Sequence, residues 1–142
     1  KSLPKYISSF PVDKKEITSA ILSDKKNLTK IIKIVHLEIR KKLNTFIKKN
    51  KKSKILILDI PLLLENKINN KKDILIFVES KKLEIIKRLK KRKNFNHKLL
   101  KKFKNIQLPI IYKKKESHFI IKNDFTKRTV RNRIKNILKK II

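Results

Sequence analysis

Apolar residues recur along the chain in two rhythms. Between residues 28 and 47 they fall at three- and four-residue intervals. Leu28, Ile31, Ile32, Val35, Ile39, Leu43, Phe46 and Ile47 form one stripe, which predicts a long amphipathic helix. Ser23 and Asp24 stand at its start. Just upstream, Asp13 and Glu16 have the spacing of a capping box, so a shorter helix is expected there with Ile17, Ala20 and Ile21 inward. Farther on, the apolar positions become continuous. Ile55-Leu56-Ile57-Leu58, closed by Asp59-Ile60-Pro61, reads as a strand buried on both faces, as in parallel sheets. Ile74-Leu75-Ile76-Phe77-Val78 repeats the pattern, and Phe119-Ile120-Ile121 is a third short strand. Ser80 can cap a helix carrying Leu83, Ile86 and Leu89. Thr126 can cap a last helix with Val130, Ile134, Ile137, Leu138 and Ile141 inward.

Strands alternating with helices imply an α/β fold with a doubly wound parallel sheet. Such strands aim their carboxyl ends at the ligand. That reading places Asp59 and the residues after Val78 and Ile121 on one rim. The segment 90–117 is long, basic and interrupted by Pro109. Leu99, Leu100, Phe103 and Ile106 align within it, so 96–106 is read as a helix of a lid. The charge run 48–54 is read as a loop. No internal repeat is visible.

Composition narrows the class. With 142 residues the chain has the size of one domain, and 39% hydrophobic residues suffice for a core beside 37% charged ones. Cysteine is absent, which excludes disulfides and thiolate metal sites. No apolar run is long enough to span a membrane, and residues 1–5 have no apolar signal region, so the expected compartment is the cytoplasm. The net charge of +31 suggests a polyanion partner. Against that, only six of the 42 basic residues are arginine, and the lysines are scattered over every segment rather than gathered on one. The abundance of lysine, asparagine and isoleucine fits an A/T-rich coding sequence. Glycine and methionine are both absent. Backbone that approaches phosphate usually needs glycine. Both absences are read as signs that the chain begins partway into a gene product.

Several residues could carry chemistry. A carboxylate closing an apolar strand is costly unless it meets a cation, a metal or backbone donors. Asp59 therefore serves Mg²⁺ in a phosphoryl-transfer site, or it caps a helix over 62–65 with Pro61 in the first turn. Arg88 and Arg92 are spaced i, i+4, and arginine's planar fork suits phosphate oxygens. The alternative is a solvated pair. His36 and Arg40 have the same spacing, with His36 beside the apolar stripe. His97 and His118 have no partners at metal-ligand spacing. No Ser/His/Asp set and no paired carboxylates stand out. A G-x-x-x-x-G-K-[ST] loop cannot occur without glycine.

Taken in order, these residues resemble the dephospho-coenzyme A kinase family. The likeness runs nearly end to end. Val12-Asp13-Lys14 through Leu22-Ser23-Asp24 looks like the family's (I/V)-D-R…(V/F)-F-x-D stretch. Ile34-Val35-His36 with Arg40 looks like its I-x-H-P-x-(I/V)-R helix. Asp59-Ile60-Pro61-Leu62-Leu63-Leu64-Glu65 is similar to D-I-P-L-L-F-E, the most specific segment. Arg88-Leu89-Lys90-Lys91-Arg92 looks like R-L-x-x-R. Gln107-Leu108-Pro109, Lys113 and Ile121-Lys122-Asn123 follow at matching spacing. Leu37, Ile32 and His118 depart from the usual proline, glutamate and aspartate.

The resemblance implies ATP-dependent phosphorylation of the ribose 3′-hydroxyl of dephospho-coenzyme A with Mg²⁺. The implied fold is that of P-loop nucleoside-monophosphate kinases, a doubly wound parallel sheet with a helical substrate region and a lid, here missing its first two strands. One partial kinase domain over 1–142 would divide into a substrate-side region (12–49), core strands and helix (54–92), a lid (93–117), and the last strand and helix (118–142). By the same likeness Asp59 is catalytic and lies near Mg²⁺, in indirect contact with it. Arg92 is catalytic and, with Arg88, holds ATP phosphates. Asn123 lies near the adenine, and His36 and Arg40 face the coenzyme A substrate.

In that fold family the phosphate-loop strand is central, between the strands ending at Asp59 and Val78. Without it two strand edges are unpaired, and each orphaned buried group costs on the order of 1–3 kcal/mol. The fragment alone is therefore expected to be inactive, and unstable or prone to aggregate. Two other readings stand beside this one: a basic nucleic-acid-binding domain and a non-catalytic remnant.

Overall fold

The computed structural model describes residues 6–142. The expectation for residues 1–5, that they hold no signal region, lies outside that range. The elements are helices α1 (Lys14–Ser23) and α2 (Lys25–Lys49), strand β1 (Ile76–Glu79), and helices α3 (Lys82–Lys90), α4 (His97–Asn105) and α5 (Ile110–Lys115). Strand β2 (Phe119–Lys122) and helix α6 (Lys127–Ile141) complete the chain. The fold is mixed α/β with a two-stranded parallel sheet. The chain divides into two compact units. One runs up to Ile68 and includes His97–Ile106. The other comprises Asn69–Asn96 and Gln107–Ile142.

In the first unit the polar residues predicted to start α1 and α2 do so. Asp13 accepts from the Lys15 N–H at 3.0 Å and Asp24 from the Lys26 N–H at 2.8 Å, which supplies partners for otherwise orphaned helix donors. The capping box is half formed. Glu16 does not reach back to Asp13; its carboxylate accepts from the Ser8 and Ser9 N–H groups and from the Ser9 hydroxyl at 2.7 Å. Ser9 Oγ in turn accepts the Asp13 N–H at 3.0 Å. These bonds hold the Glu16 carboxyl down to about 2, with the serine hydroxyls the leading cause.

Helix α1 packs on α2 and α4. Ala20, Ile21 and Leu28 are buried there. Buried Asn27 is satisfied by donating to the Ala20 carbonyl at 2.9 Å. Lys102 on α4 donates its ammonium to the carbonyls of Ile21 and Leu22. A cation at the C-terminal end of α1 meets both its unpaired acceptors and its negative dipole end. The apolar stripe of α2 is only partly covered, since Val35 and Phe46 are 46% and 44% exposed.

The run 55–58 carries no ladder among the described residues, and Ile57 is 83% exposed. A strand exists only as one member of a hydrogen-bonded pair, and among the described residues the sheet contains β1 and β2 alone. The following segment is a set of turns rather than a helix. Asn66 donates its N–H to the Leu62 carbonyl at 3.1 Å and its side-chain amide to the same oxygen at 2.7 Å. Leu62 and Lys67 have φ of 55° and 49°, and left-handed backbone at non-glycine residues resists propagation into a helix.

In the second unit β1 and β2 run parallel, with Val78 opposite Ile121 and Glu79 opposite Lys122. Helix α6 packs on β2, where Ile121 and Ile137 are buried. Ser80 does not cap α3: Lys81 takes the N-cap position with no side-chain bond. Thr126 does hold the N-cap position of α6, but its hydroxyl donates to Asp124 at 2.9 Å instead. Helix α4 lies within the predicted 96–106. Helix α5, which begins directly after Pro109, is a short turn within the segment read as lid.

Candidate functional site

Parallel pairing brings the residues after Val78 and after Ile121 to one rim, where the two strands end together. Asn123 donates its backbone N–H to the Glu79 carbonyl at 2.7 Å, extending the ladder by one bond past the strands. Glu79, Ser80, Lys81, Glu84, Lys122, Asn123, Asp124 and Phe125 line an open cleft at this end. Strand carboxyl ends are where open α/β sheets bind ligands.

The turn leaving β2 is tied by its own side chains. Asn123 Oδ1 accepts the Phe125 N–H at 2.8 Å, and Asp124 Oδ1 accepts the Thr126 N–H at 3.0 Å. The Thr126 backbone and hydroxyl donors hold the Asp124 carboxyl below its ordinary range. Phe125 has φ 64°, a conformation that costs a non-glycine residue roughly 1–2 kcal/mol. Its ring lies beneath the Arg88 guanidinium, 3.8 Å from Cζ to the ring centre. Asn123 Oδ1 is committed to the turn, which leaves the amide N–H₂ as the side chain's donor group.

Glu79 closes β1 and forms an ion pair with Lys114 of α5. That hydrogen bond is the leading reason its carboxyl lies below the ordinary range. Glu79, like Asp59, is a carboxylate at the end of an apolar run, a signal visible in the sequence. Nothing in the sequence marks Lys114 as its partner, since the lysines on either side are indistinguishable by spacing. Phe125 carries no sequence signal either.

The other predicted residues divide between the two units. Arg88 occupies the last turn of α3. Arg92 lies two residues beyond the helix, where its N–H donates to the Leu89 carbonyl at 3.1 Å, so the pair does not share one helix face as the i, i+4 spacing suggested. Arg88 and Asn123 belong to the second unit, at and beside the cleft. Asp59, His36 and Arg40 belong to the first. Asp59 is exposed and does not cap a helix. Arg40, on α2, donates from Nη2 to the Asn66 carbonyl at 3.1 Å. The helix is thereby tied to the turns that follow Pro61, and the rest of the guanidinium fork stays available. His36 is half-buried one turn earlier.

Among the described residues no three His, Asp or Glu side chains gather as a metal site. No helix among them is long and apolar enough to cross a membrane.

The sequence model of the family described as Dephospho-CoA kinase matches residues 11–128. A dephospho-CoA kinase of Wolbachia pipientis wMel is 31% identical over 140 residues, covering 97% of this chain and 71% of the relative. That of the Wolbachia of Brugia malayi is 30% identical with the same coverage. The Bacillus anthracis protein is 29% identical over 133 residues, covering 91% of this chain and 66% of the relative. The stretch from Pro11 to Arg128 includes His36, Arg40, Asp59, Arg88, Arg92 and Asn123, and the chain belongs to the dephospho-CoA kinase family.

Proposed function

We propose that this chain is the substrate-side, lid and C-terminal portion of an enzyme that transfers the γ-phosphoryl group of ATP to the ribose 3′-hydroxyl of dephospho-coenzyme A. The observation that carries this reading is the family match over residues 11–128, which spans all the proposed site residues. In the proposed complete fold, the run 55–58 joins β1 and β2 in a doubly wound parallel sheet whose central strand leads into a glycine-rich phosphate loop. The sequence contains no glycine with which to make that loop.

Within this reading the cleft at the ends of β1 and β2 takes the adenine, with Asn123 donating to a ring acceptor. Arg88 and Arg92 hold phosphate oxygens. Their positive charge would stabilise negative charge that builds on the transferring group. Residues 93–117 act as a lid. His36 and Arg40 orient the coenzyme A substrate, and Arg40 does so from a helix already tied to Asn66. Mg²⁺ fits a site that offers one carboxylate, because this ion keeps several waters and is commonly held by substrate phosphates. Asp59 would hold it through water. When bound, the ion supplies neutralisation of phosphate charge.

The test is a phosphotransfer assay with ATP, Mg²⁺ and dephospho-coenzyme A. The chain is assayed alone, and joined to a strand–helix–strand unit bearing G-x-x-G-x-G-K-S from a relative. Product from the joined protein supports the reading. A well-folded joined protein that binds neither substrate would refute it.

A further inference from the structure

Two residues assigned above to the nucleotide are connected through a third that no sequence argument picked out. Asn123 Oδ1 accepts the Phe125 N–H at 2.8 Å. Phe125 is thereby held at φ 64°, and its ring sits under Arg88 with the guanidinium carbon 3.8 Å from the centroid. Arg88 is exposed at the end of α3. A long side chain there would sample many rotamers unless something held it. A face-on aromatic ring does so by cation–π attraction while leaving the edge N–H donors of the fork pointing outward.

We propose that Phe125 is a positioning residue: it holds the Arg88 guanidinium for a nucleotide's phosphate oxygens and makes that hold depend on Asn123. This rests on the ATP-binding reading of the cleft. A base seated against the Asn123 amide would steady the turn, and the turn carries the ring on which Arg88 lies. Occupancy at the base end is thereby felt at the phosphate end without a contact between Asn123 and Arg88. The tie also accounts for a bulky residue in a left-handed conformation that glycine would adopt freely.

The test uses the chain joined to a phosphate-loop unit and labelled with ¹⁵N only within residues 1–142, reading the arginine Nε–H signals, which are few because these residues include six arginines. One signal is expected to be displaced upfield by the ring and to vanish in Arg88→Lys. Phe125→Gly, which suits the backbone but removes the ring, should return it to the undisplaced position. Asn123→Ala, which keeps the ring but frees the turn, should remove at least half of the displacement. An undisplaced signal in the parent chain, or full displacement retained in Asn123→Ala, would overturn the proposal. ATP is then titrated into each protein. Phe125→Gly should weaken ATP binding by about two- to fivefold, the range of an exposed cation–π contact. Unchanged affinity in Phe125→Gly beside a weakened Arg88→Lys overturns the positioning role. A displaced signal that depends on Phe125 and Asn123 but does not respond to ATP sinks the nucleotide reading while supporting the mechanical tie.

Discussion

Leu75 exchanges two hydrogen bonds with His118: its carbonyl accepts the His118 backbone N–H at 2.9 Å, and its own N–H donates to His118 Nδ1 at 3.0 Å. The side chain acts as a surrogate ladder partner one residue before β1 begins. His118 stands where the family usually has aspartate, and both residues can offer an acceptor at that point. An aspartate at position 118 is therefore expected to supply the same acceptor. His118→Asp is expected to leave thermal stability nearly unchanged, whereas His118→Leu should cost about 1 kcal/mol. Amide exchange at Leu75 reads the difference directly, with fast exchange expected only in the leucine variant.

Glu79 and Lys114 join the end of β1 to α5. Lys114→Ala should raise the Glu79 carboxyl toward its ordinary value of 4.5, because the lysine hydrogen bond is the main cause of its depression. The sign follows from linkage. A carboxyl depressed in the folded state contributes stability that is present above its unfolded value and is lost as pH falls through its folded one. Parent and variant should differ at neutral pH and converge in acid. Titration of the Glu79 side-chain carbon by NMR checks the direction, and an unmoved midpoint in the variant would refute the coupling.

Glu16 provides the stronger pH probe, since its carboxyl is held down to about 2 from 4.5 by Ser8 and Ser9. The stability it gives the start of α1 is complete above 4.5 and is lost as pH falls toward 2. Ser9→Ala removes the hydroxyl that bridges Asp13 and Glu16, so the Glu16 midpoint should rise and the loss begin at higher pH. Exchange of the α1 amides between pH 5 and pH 2 would show it, as a shift of the midpoint rather than a uniform acceleration (pH values set by about the ordinary and depressed carboxyl ranges).

How legible these features were depended on the range of the interaction. Asp13 and Asp24 start helices by bonding two residues ahead, so their role is written locally, and α1 and α2 lie where the pattern put them. The apolar runs at 74–78 and 119–121 also yield strands, β1 from Ile76 and β2 from Phe119, because each finds the other. The run at 55–58 has the same composition and no partner among the described residues, which periodicity within the run cannot reveal. Arg88 and Arg92 misled through spacing alone: the i, i+4 rule assumes a helix that continues, and α3 ends at Lys90. Lys114 and Phe125 were silent because their partners are 35 and 37 residues away (Glu79 and Arg88, respectively) and neither pairing has a periodic signature.

Lys102 makes the contact that fastens α4 to α1, through the carbonyls of Ile21 and Leu22. Lys102→Ala should release those acceptors and cost about 1.5 kcal/mol, the lower end of the range for bonds to charged groups because the side chain is only half-buried. Lys102→Arg should retain most of the effect. Exchange protection in α4 is the informative readout: loss confined to α4 and the last turn of α1 is expected, and unchanged α4 protection would show that its apolar contacts hold it alone.

Ile57 is 83% exposed, and on the sheet Ile76, Val78 and Ile120 are 43%, 55% and 43% exposed, although these runs have the composition of strands covered on both faces. Parallel strands with both faces covered are the usual case, and an uncovered edge pairs readily with another chain. The 142-residue chain by itself is therefore expected to bind a hydrophobic dye and to associate as its concentration rises. Joined to a phosphate-loop unit, it should lose the dye binding and become protected at 55–58 and along β1 together. Protection appearing at β1 but not at 55–58 would mean that the run following Lys54 does not enter the sheet. A sharp, concentration-independent unfolding transition of the unjoined chain would count against the whole expectation, because these surfaces would then be stable in water without a partner.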